Sequence, residues 1–409
     1  MTGNTKGNVL RRKSRWVSLA ASTITFSKSQ VSAFWCKPTP GSRNRPAYFQ
    51  TAPLRASGDG DLTEFKKWCT EKGILTPLDL QIRDEGYRFM TYSDEESFAN
   101  RPEAYDGLVL RVPLEACLTA DSPEELAKAL AQEKERGEES SFAPYLKVLP
   151  ALDAPSLRAL PRFWSADKTE RVRRFDGGQI DRRVRADARI ELDPWAHACV
   201  ASRANYLADR GYAMTPLLDM MNHDAASETS ARIVDDALCL AVGRPAKEGE
   251  EVFLSYGDLT NIDTLCDYGF VAENGGRRDE VVDVRMIRKS PVRVVVSEGS
   301  DGGASLDAGS LAVLRSRLAP PEEVANIIAG NEYISMTTVF TKPISDSSEE
   351  EVFSLVAHFV DEAICQGNEG IEWAKENDEN MLERYFVARV KVLKKGLDFI
   401  KIKFPDLLY

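Results

Sequence analysis

The sequence predicts an α+β protein, in which a β-rich region is interrupted by a helical block and followed by a helical C-terminal region. Three observations carry this. Short apolar runs bounded by proline and glycine occur within 87–112 and again within 231–255. Between about residues 122 and 208 the apolar residues fall mostly at helical spacing. After a polar, Gly-rich stretch at 299–303 the helical spacing returns and dominates the rest of the chain.

Taken in order, Leu62-Thr63-Glu64-Phe65-Lys66-Lys67-Trp68-Cys69 opens the globular part as a helix that Gly73 ends. Residues 87–92 and 108–112 read as strands, the second stopped by Pro113, which has no N–H to give a ladder. Ser122-Pro123-Glu124-Glu125 is a capped helix start: the serine oxygen accepts an orphan N–H, and proline occupies a position whose N–H has no partner anyway. Strands return at 231–234, 238–242 and 251–255, with Gly249-Glu250 as the turn between the last two. A helix is expected over 261–267, and long helices over 349–364 and 381–400. No internal repeat is visible.

Composition narrows the function. The chain has 409 residues and 43% hydrophobic content, enough for two domains and a tail. No run approaches the roughly 18 consecutive apolar residues of a membrane span. Seven cysteines, scattered singly without a CxxC pair, suit a reducing compartment and give no metal site. Residues 1–58 hold ten Lys and Arg and no Asp or Glu; removing those ten charges from the net -11 leaves about -21 on the remainder. A body that acidic is a poor nucleic-acid binder. The basic, Ser-rich first 58 residues read as a targeting presequence outside the fold. Within them Arg11 to Arg15 precede a modestly apolar run, then Val31-Ser32-Ala33 and Phe34. That order resembles the two-part presequences of algae with secondary plastids, which implies a plastid stroma, with the cytoplasm as the alternative.

Familiar catalytic signatures are missing: no GxGxxG after a strand, no Walker loop, no HExxH and no GxSxG. Only His197, His223 and His358 are present, too few for a multi-histidine metal centre. What stands out is Pro216-Leu217-Leu218-Asp219-Met220-Met221-Asn222-His223, then Ser255-Tyr256-Gly257 and Asp267-Tyr268-Gly269-Phe270-Val271. Alone, the Asp, Asn and His read equally as a helix cap with a satisfied histidine, and Tyr256 as an aromatic packed beside a turn.

In this order and spacing the three stretches resemble the core of SET-domain methyltransferases. The subfamily resembled is that of the plastid Rubisco large-subunit lysine methyltransferase and the actin-histidine methyltransferase. Phe142-Ala143-Pro144-Tyr145-Leu146, Leu149-Pro150 and Phe163-Trp164-Ser165 look like that subfamily's helical insert, and Trp195-Ala196 with Val200-Ala201-Ser202-Arg203 like its return to the core. The resemblance implies a SET domain over 59–275 with its insert at about 121–208, then an all-helical substrate-binding domain over 276–409. No cysteine cluster follows Tyr268-Gly269-Phe270, unlike the histone-directed SET enzymes.

The cofactor implied is S-adenosylmethionine (AdoMet). Arg203 and Asp219 would meet its head group and ribose, Asn222 and His223 would contact it through backbone and side chain, and Tyr268, Gly269 and Phe270 would flank the adenine. Tyr256 matches the catalytic tyrosine. The expected reaction is N-methylation of a protein lysine on a stromal protein such as Rubisco large subunit or aldolase, by a monomer that docks its substrate through the C-terminal helices. Histidine methylation and a non-catalytic binding scaffold are the alternatives. One departure concerns the family's Gly-Arg-Gly-Leu turn beside the cofactor. Here the stretch reads Asp84-Glu85-Gly86-Tyr87-Arg88. Glu85 and Gly86 are expected to touch AdoMet, and Arg88, in place of the second glycine, to point to solvent.

Overall fold

The computed structural model describes residues 59–82, 87–92, 108–242, 249–272, 278–299, 302–329, 339–405 and 407. The 1–58 presequence and the pair Glu85 and Gly86 therefore lie outside the described residues.

The chain enters through α1 (Asp59–Glu71), whose Phe65, Trp68 and Cys69 are buried on one face. Gly73 follows at φ +71, a left-handed conformation that glycine adopts without steric cost. The β-rich core consists of three small antiparallel sheets. Strand β1 (Leu78–Ile82) pairs with β2 (Arg88–Tyr92), and β3 (Leu108–Pro113) begins the second sheet. Next come β4 (Leu118–Ala120) and the insert helices α2 (Pro123–Arg136), α3 (Ala143–Val148), α4 (Ala166–Asp176) and α5 (Gln179–Asp187). The expected cap is present, with Ser122 Oγ accepting from the Glu125 N–H at 3.2 Å. Helix α6 (Pro194–Arg203) leads back into β5 (Asn205–Tyr206) and β6 (Tyr212–Met214), which pair with β4 in the order β4-β6-β5. Then β7 (Thr229–Val234) and β8 (Ala237–Val242) complete the sheet β3-β8-β7.

Two expectations need adjusting. Residues 251–255 form no regular strand; their backbone is held by isolated bridges, Thr91 to Glu251 and His223 to Leu254. The C-terminal region is helical from Ala308 onward, but it is not all-helical. It begins with β9 (Arg278–Met286), β10 (Lys289–Glu298) and β11 (Ala304–Leu306), an antiparallel sheet in the order β11-β10-β9. Val282, Val284, Val292, Val294 and Val296 alternate inward from it, the period-two pattern of a half-buried sheet. Helices α7 (Ala308–Leu318), α8 (Pro321–Ala329), α9 (Asp346–Glu376) and α10 (Asn380–Lys403) follow.

Three apolar clusters organise the packing. The first fills the β-rich core with α1, α2, α3 and α6. The second lies between the β9–β11 sheet and helices α7, α9 and α10. The third joins the insert to the C-terminal helices: Val172 and Ile180 meet Leu265 and Cys266 and the C-terminal Ala374, Leu382, Tyr385 and Phe386. Where α9 crosses α4 the approach is close enough that a Cβ on Gly370 would lie 2.8 Å from Phe175 Cβ.

Candidate functional site

The site is built where two segments clasp. Residues 222–224 and 252–256 run past each other, with the Leu254 N–H donating to Asn222 O at 2.8 Å and the Asp224 N–H to Leu254 O at 3.2 Å. Just before the clasp the chain takes a tight turn, and Leu217 sits at φ 68. A non-glycine residue holds that conformation only where its surroundings impose it; here Leu217, Leu218, Met220 and Met221 are all buried in the first cluster.

The clasp brings the two sequence motifs together. The Tyr256 N–H donates to His223 Nδ1 at 3.0 Å, and the Tyr256 hydroxyl donates to Met221 O at 2.7 Å. His223 therefore keeps its other ring nitrogen protonated, and burial lowers its pKa from the usual value, so it is neutral at pH 7. Burial also pushes Tyr256 well above the usual phenol range, with the Arg203 charge opposing and Tyr268, Asp219 and Glu251 adding to the rise. Tyr256 stays protonated and cannot serve as a general base near neutral pH.

Around this pair lies a ring cluster. Centroids are 5.0 Å apart for His223 and Tyr256, 4.8 Å for Tyr256 and Tyr268, 5.8 Å for His223 and Phe270, and 6.1 Å for Tyr268 and Phe270. Tyr268 ends a π-helical turn (Thr264–Tyr268), the kind of bulge that redirects side chains at functional sites. Burial raises Tyr268 to about 12. Gly269, at φ +77, faces the insert: an added Cβ would lie 3.4 Å from Ala159 Cβ and from Leu160 Cδ2. Its role in the geometry is close packing as well as the turn.

Arg203 and Asp219 meet on the other side, where Arg203 Nη1 donates to the Asp219 backbone carbonyl at 2.6 Å. The carboxylate itself accepts from the Tyr145 hydroxyl. Burial raises Asp219 to about 7, against the opposing effects of Arg203 and of the Tyr145 hydrogen bond. Asn222 Nδ2 donates to Arg88 O at 2.8 Å and to Glu251 Oε1 at 2.7 Å, and Glu251 Oε1 also accepts from the Tyr87 hydroxyl at 2.9 Å.

Arg88 does not point to solvent as expected. It is half-buried on β2, and burial, then the neighbouring Arg203 charge, lower its pKa to about 10. The reason is local: β2 is covered along its length, with Phe89, Met90, Thr91 and Tyr92 all buried, and the clasp lies across it.

Three contributors carried no signal as site residues. Glu251 lies among ordinary strand-like residues, Tyr87 borders the altered glycine turn, and Tyr145 looks like one more apolar residue of an insert helix. Only the bond from Tyr145 to Asp219, 74 positions away, distinguishes it. Among the described residues no group of three or more His, Cys, Asp or Glu is gathered as a metal ion would need.

Solved structures share this architecture. The crystal structure of the SET domain of LSMT bound to lysine and AdoHcy superposes with a TM-score of 0.63 at 18% identity, covering 86% of this chain and 93% of that one. The fold is that of a SET domain. The structure of Rubisco LSMT bound to AdoMet matches this SET fold with a TM-score of 0.60 at 17% identity, over 85% of this chain and 93% of that one. Curated relatives agree: N-lysine methyltransferase setd6 of Xenopus laevis is 21% identical over 299 residues, 59% of this chain and 64% of its own length. The actin-histidine N-methyltransferase of Gallus gallus is 24% identical over 392 residues, 82% of this chain and 61% of its own length. The SET chain thus spans somewhat under two thirds of either relative. No family model matches the chain.

Proposed function

We propose that the chain is an AdoMet-dependent protein-lysine N-methyltransferase, with Tyr256 as the catalytic residue. The observation that carries this is the Tyr256 hydroxyl at the centre of the clasp, its proton engaged by Met221 O at 2.7 Å and its ring held among His223 and Tyr268. With the proton so occupied, the oxygen lone pairs are left for polarised C–H or N–H groups of reactants, a preorganised dipole that costs no reorganisation.

The residues present fit AdoMet. Arg203 Nε and Asp219 Oδ1 are buried without a hydrogen-bond partner, a donor and an acceptor that an amino-acid head or ribose can satisfy. Asn222 and neutral His223 offer further polar contacts, and the Tyr268 and Phe270 rings a flat surface for a base. Bound AdoMet supplies an electrophilic methyl on a sulfonium. A lysine must arrive as the free amine, and since Tyr256 and Tyr268 stay protonated, burial of the ammonium among these rings, with loss of its proton to water, accounts for activation without a dedicated base.

The acid-free presequence supports a stromal substrate such as Rubisco large subunit or aldolase, docked by the region beyond 276. Among the described residues no helix is long and apolar enough to cross a membrane. The test is incubation with labelled AdoMet and stromal extract, followed by mass spectrometry: a methylated lysine in one stromal protein is expected. Folded protein that binds no AdoMet at millimolar concentration overturns the reading.

A further inference from the structure

The insert reaches the Asp219 carboxyl through the Tyr145 hydroxyl. Tyr145, on α3, is fully buried, and its ring packs against both Phe65 and Trp68 of α1 at centroid distances of 6.0 and 6.3 Å. Trp68 is itself fixed, its indole N–H donating to Ser141 O at 2.8 Å. The Tyr145 hydroxyl donates to Asp219 Oδ2, whereas Arg203 holds only the Asp219 backbone carbonyl. The core therefore sets where the main chain of Asp219 lies, and the insert sets how its carboxylate is turned.

We infer that Tyr145 is a positioning residue of the AdoMet site, which acts by fixing the Asp219 carboxylate with Oδ1 left as the acceptor for a ligand donor. This rests on the proposed function and adds to it a role for the helical insert. The inference gives the site a pH response. Charged and titratable groups around Asp219 are Arg203 and Cys199 on α6, Cys69 on α1, Cys117, and Tyr256. Burial raises the three thiols to about 12, so Asp219, at about 7, is the group among these that changes charge near neutrality. Because the Tyr145 hydrogen bond lowers the carboxyl's pKa, its loss moves that titration upward.

The experiment compares the full chain with Tyr145→Phe, Asp219→Asn and the double variant. Infrared titration of the Asp219 carboxyl in ligand-free protein should show a midpoint near 7, displaced upward by about one pH unit in Tyr145→Phe. Calorimetric AdoMet affinity at pH 7.5 should fall about ten-fold in Tyr145→Phe, the scale of one hydrogen bond to a charged group. In the Asp219→Asn background the same change should cost less than about two-fold, since coupled residues do not add. An unmoved carboxyl midpoint, or an equal affinity loss in both backgrounds, overturns the inference. Wild-type protein that binds no AdoMet overturns the proposed function instead, and the infrared midpoint then decides the Tyr145 link alone.

Discussion

A single oxygen separates the catalytic role proposed for Tyr256 from its structural one. Phenylalanine keeps the ring that packs on His223 and Tyr268 and removes the hydroxyl that meets Met221 O. Turnover of Tyr256→Phe should fall by roughly 10²-fold, the effect of one preorganised dipole, with its circular dichroism unchanged. Asp219 makes the opposite trade. Its pKa is about 7 in the folded chain and near 3.8 unfolded, so the folded state holds the proton more tightly and its stability declines as pH rises from about 4 through 7. Asp219→Asn cannot ionise. Relative to wild type it should gain stability with pH, on the order of 2–4 kcal/mol above pH 8 and visible as a higher melting temperature, while losing AdoMet affinity. Thermal melts at pH 5 and pH 8 check this; an equal difference at the two would count against it. Arg88 carries a related prediction, since burial and then the Arg203 charge lower its pKa. Arg88→Gly should tighten AdoMet binding in calorimetry by removing a positive charge that would oppose a sulfonium cation.

Between whole helices and strands, the most consequential joint is the one that ties α10 to β9. Arg389 Nη1 donates to Glu280 Oε2 at 2.6 Å, with both side chains almost fully buried, and Arg389 Nη2 reaches Val281 O at 3.3 Å. Truncating one partner leaves an uncompensated charge in the interior. Arg389→Met should therefore cost about 3–5 kcal/mol in denaturant unfolding, and pairing it with Glu280→Leu should recover most of the loss. At the α4–α9 crossing, Gly370→Ala would force Phe175 and Phe386 aside, at a cost of about 1–3 kcal/mol in the same assay. Both joints also qualify the role of the C-terminal region. Its helices cover Leu265 and Cys266, so they complete the core beneath the site-bearing turn, a structural role beside the docking role proposed for them.

Across the molecule, what was legible in the sequence was what local patterning encodes. The cap at Ser122 was visible as a four-residue motif and holds. So do the strands at 108–112 and 238–242, and the long C-terminal helices, which run somewhat further at both ends than their apolar periodicity suggested. The β9–β11 sheet is not legible in the sequence, although Val281, Val282, Val284, Val292 and Val294 to Val296 are strand formers; charged residues at alternate positions on its open face dilute the pattern. For the site, the motifs around Asn222–His223 and Tyr256 were readable in order, and the clasp explains why their spacing matters. Tyr145 and Glu251 were not readable, because each acts through a partner distant along the chain. The inward turn of Arg88 is likewise a consequence of cover supplied by residues around 252.

The third apolar cluster has a consequence for how the protein is made. The turn that presents Tyr268 and Phe270 is backed by Leu265 and Cys266, and these meet Tyr385 and Phe386, about 120 positions later in the chain. A ribosome adding 5–20 residues per second delivers that cover roughly 6–24 s after the turn itself has been synthesised. Until then the rings around Tyr256 have the insert behind them but not the C-terminal helices. The nascent chain passes through an interval in which its motifs are complete but the pocket is not. Competence to bind a small ligand should appear only once the last helix, α10, has packed, as a late and abrupt event.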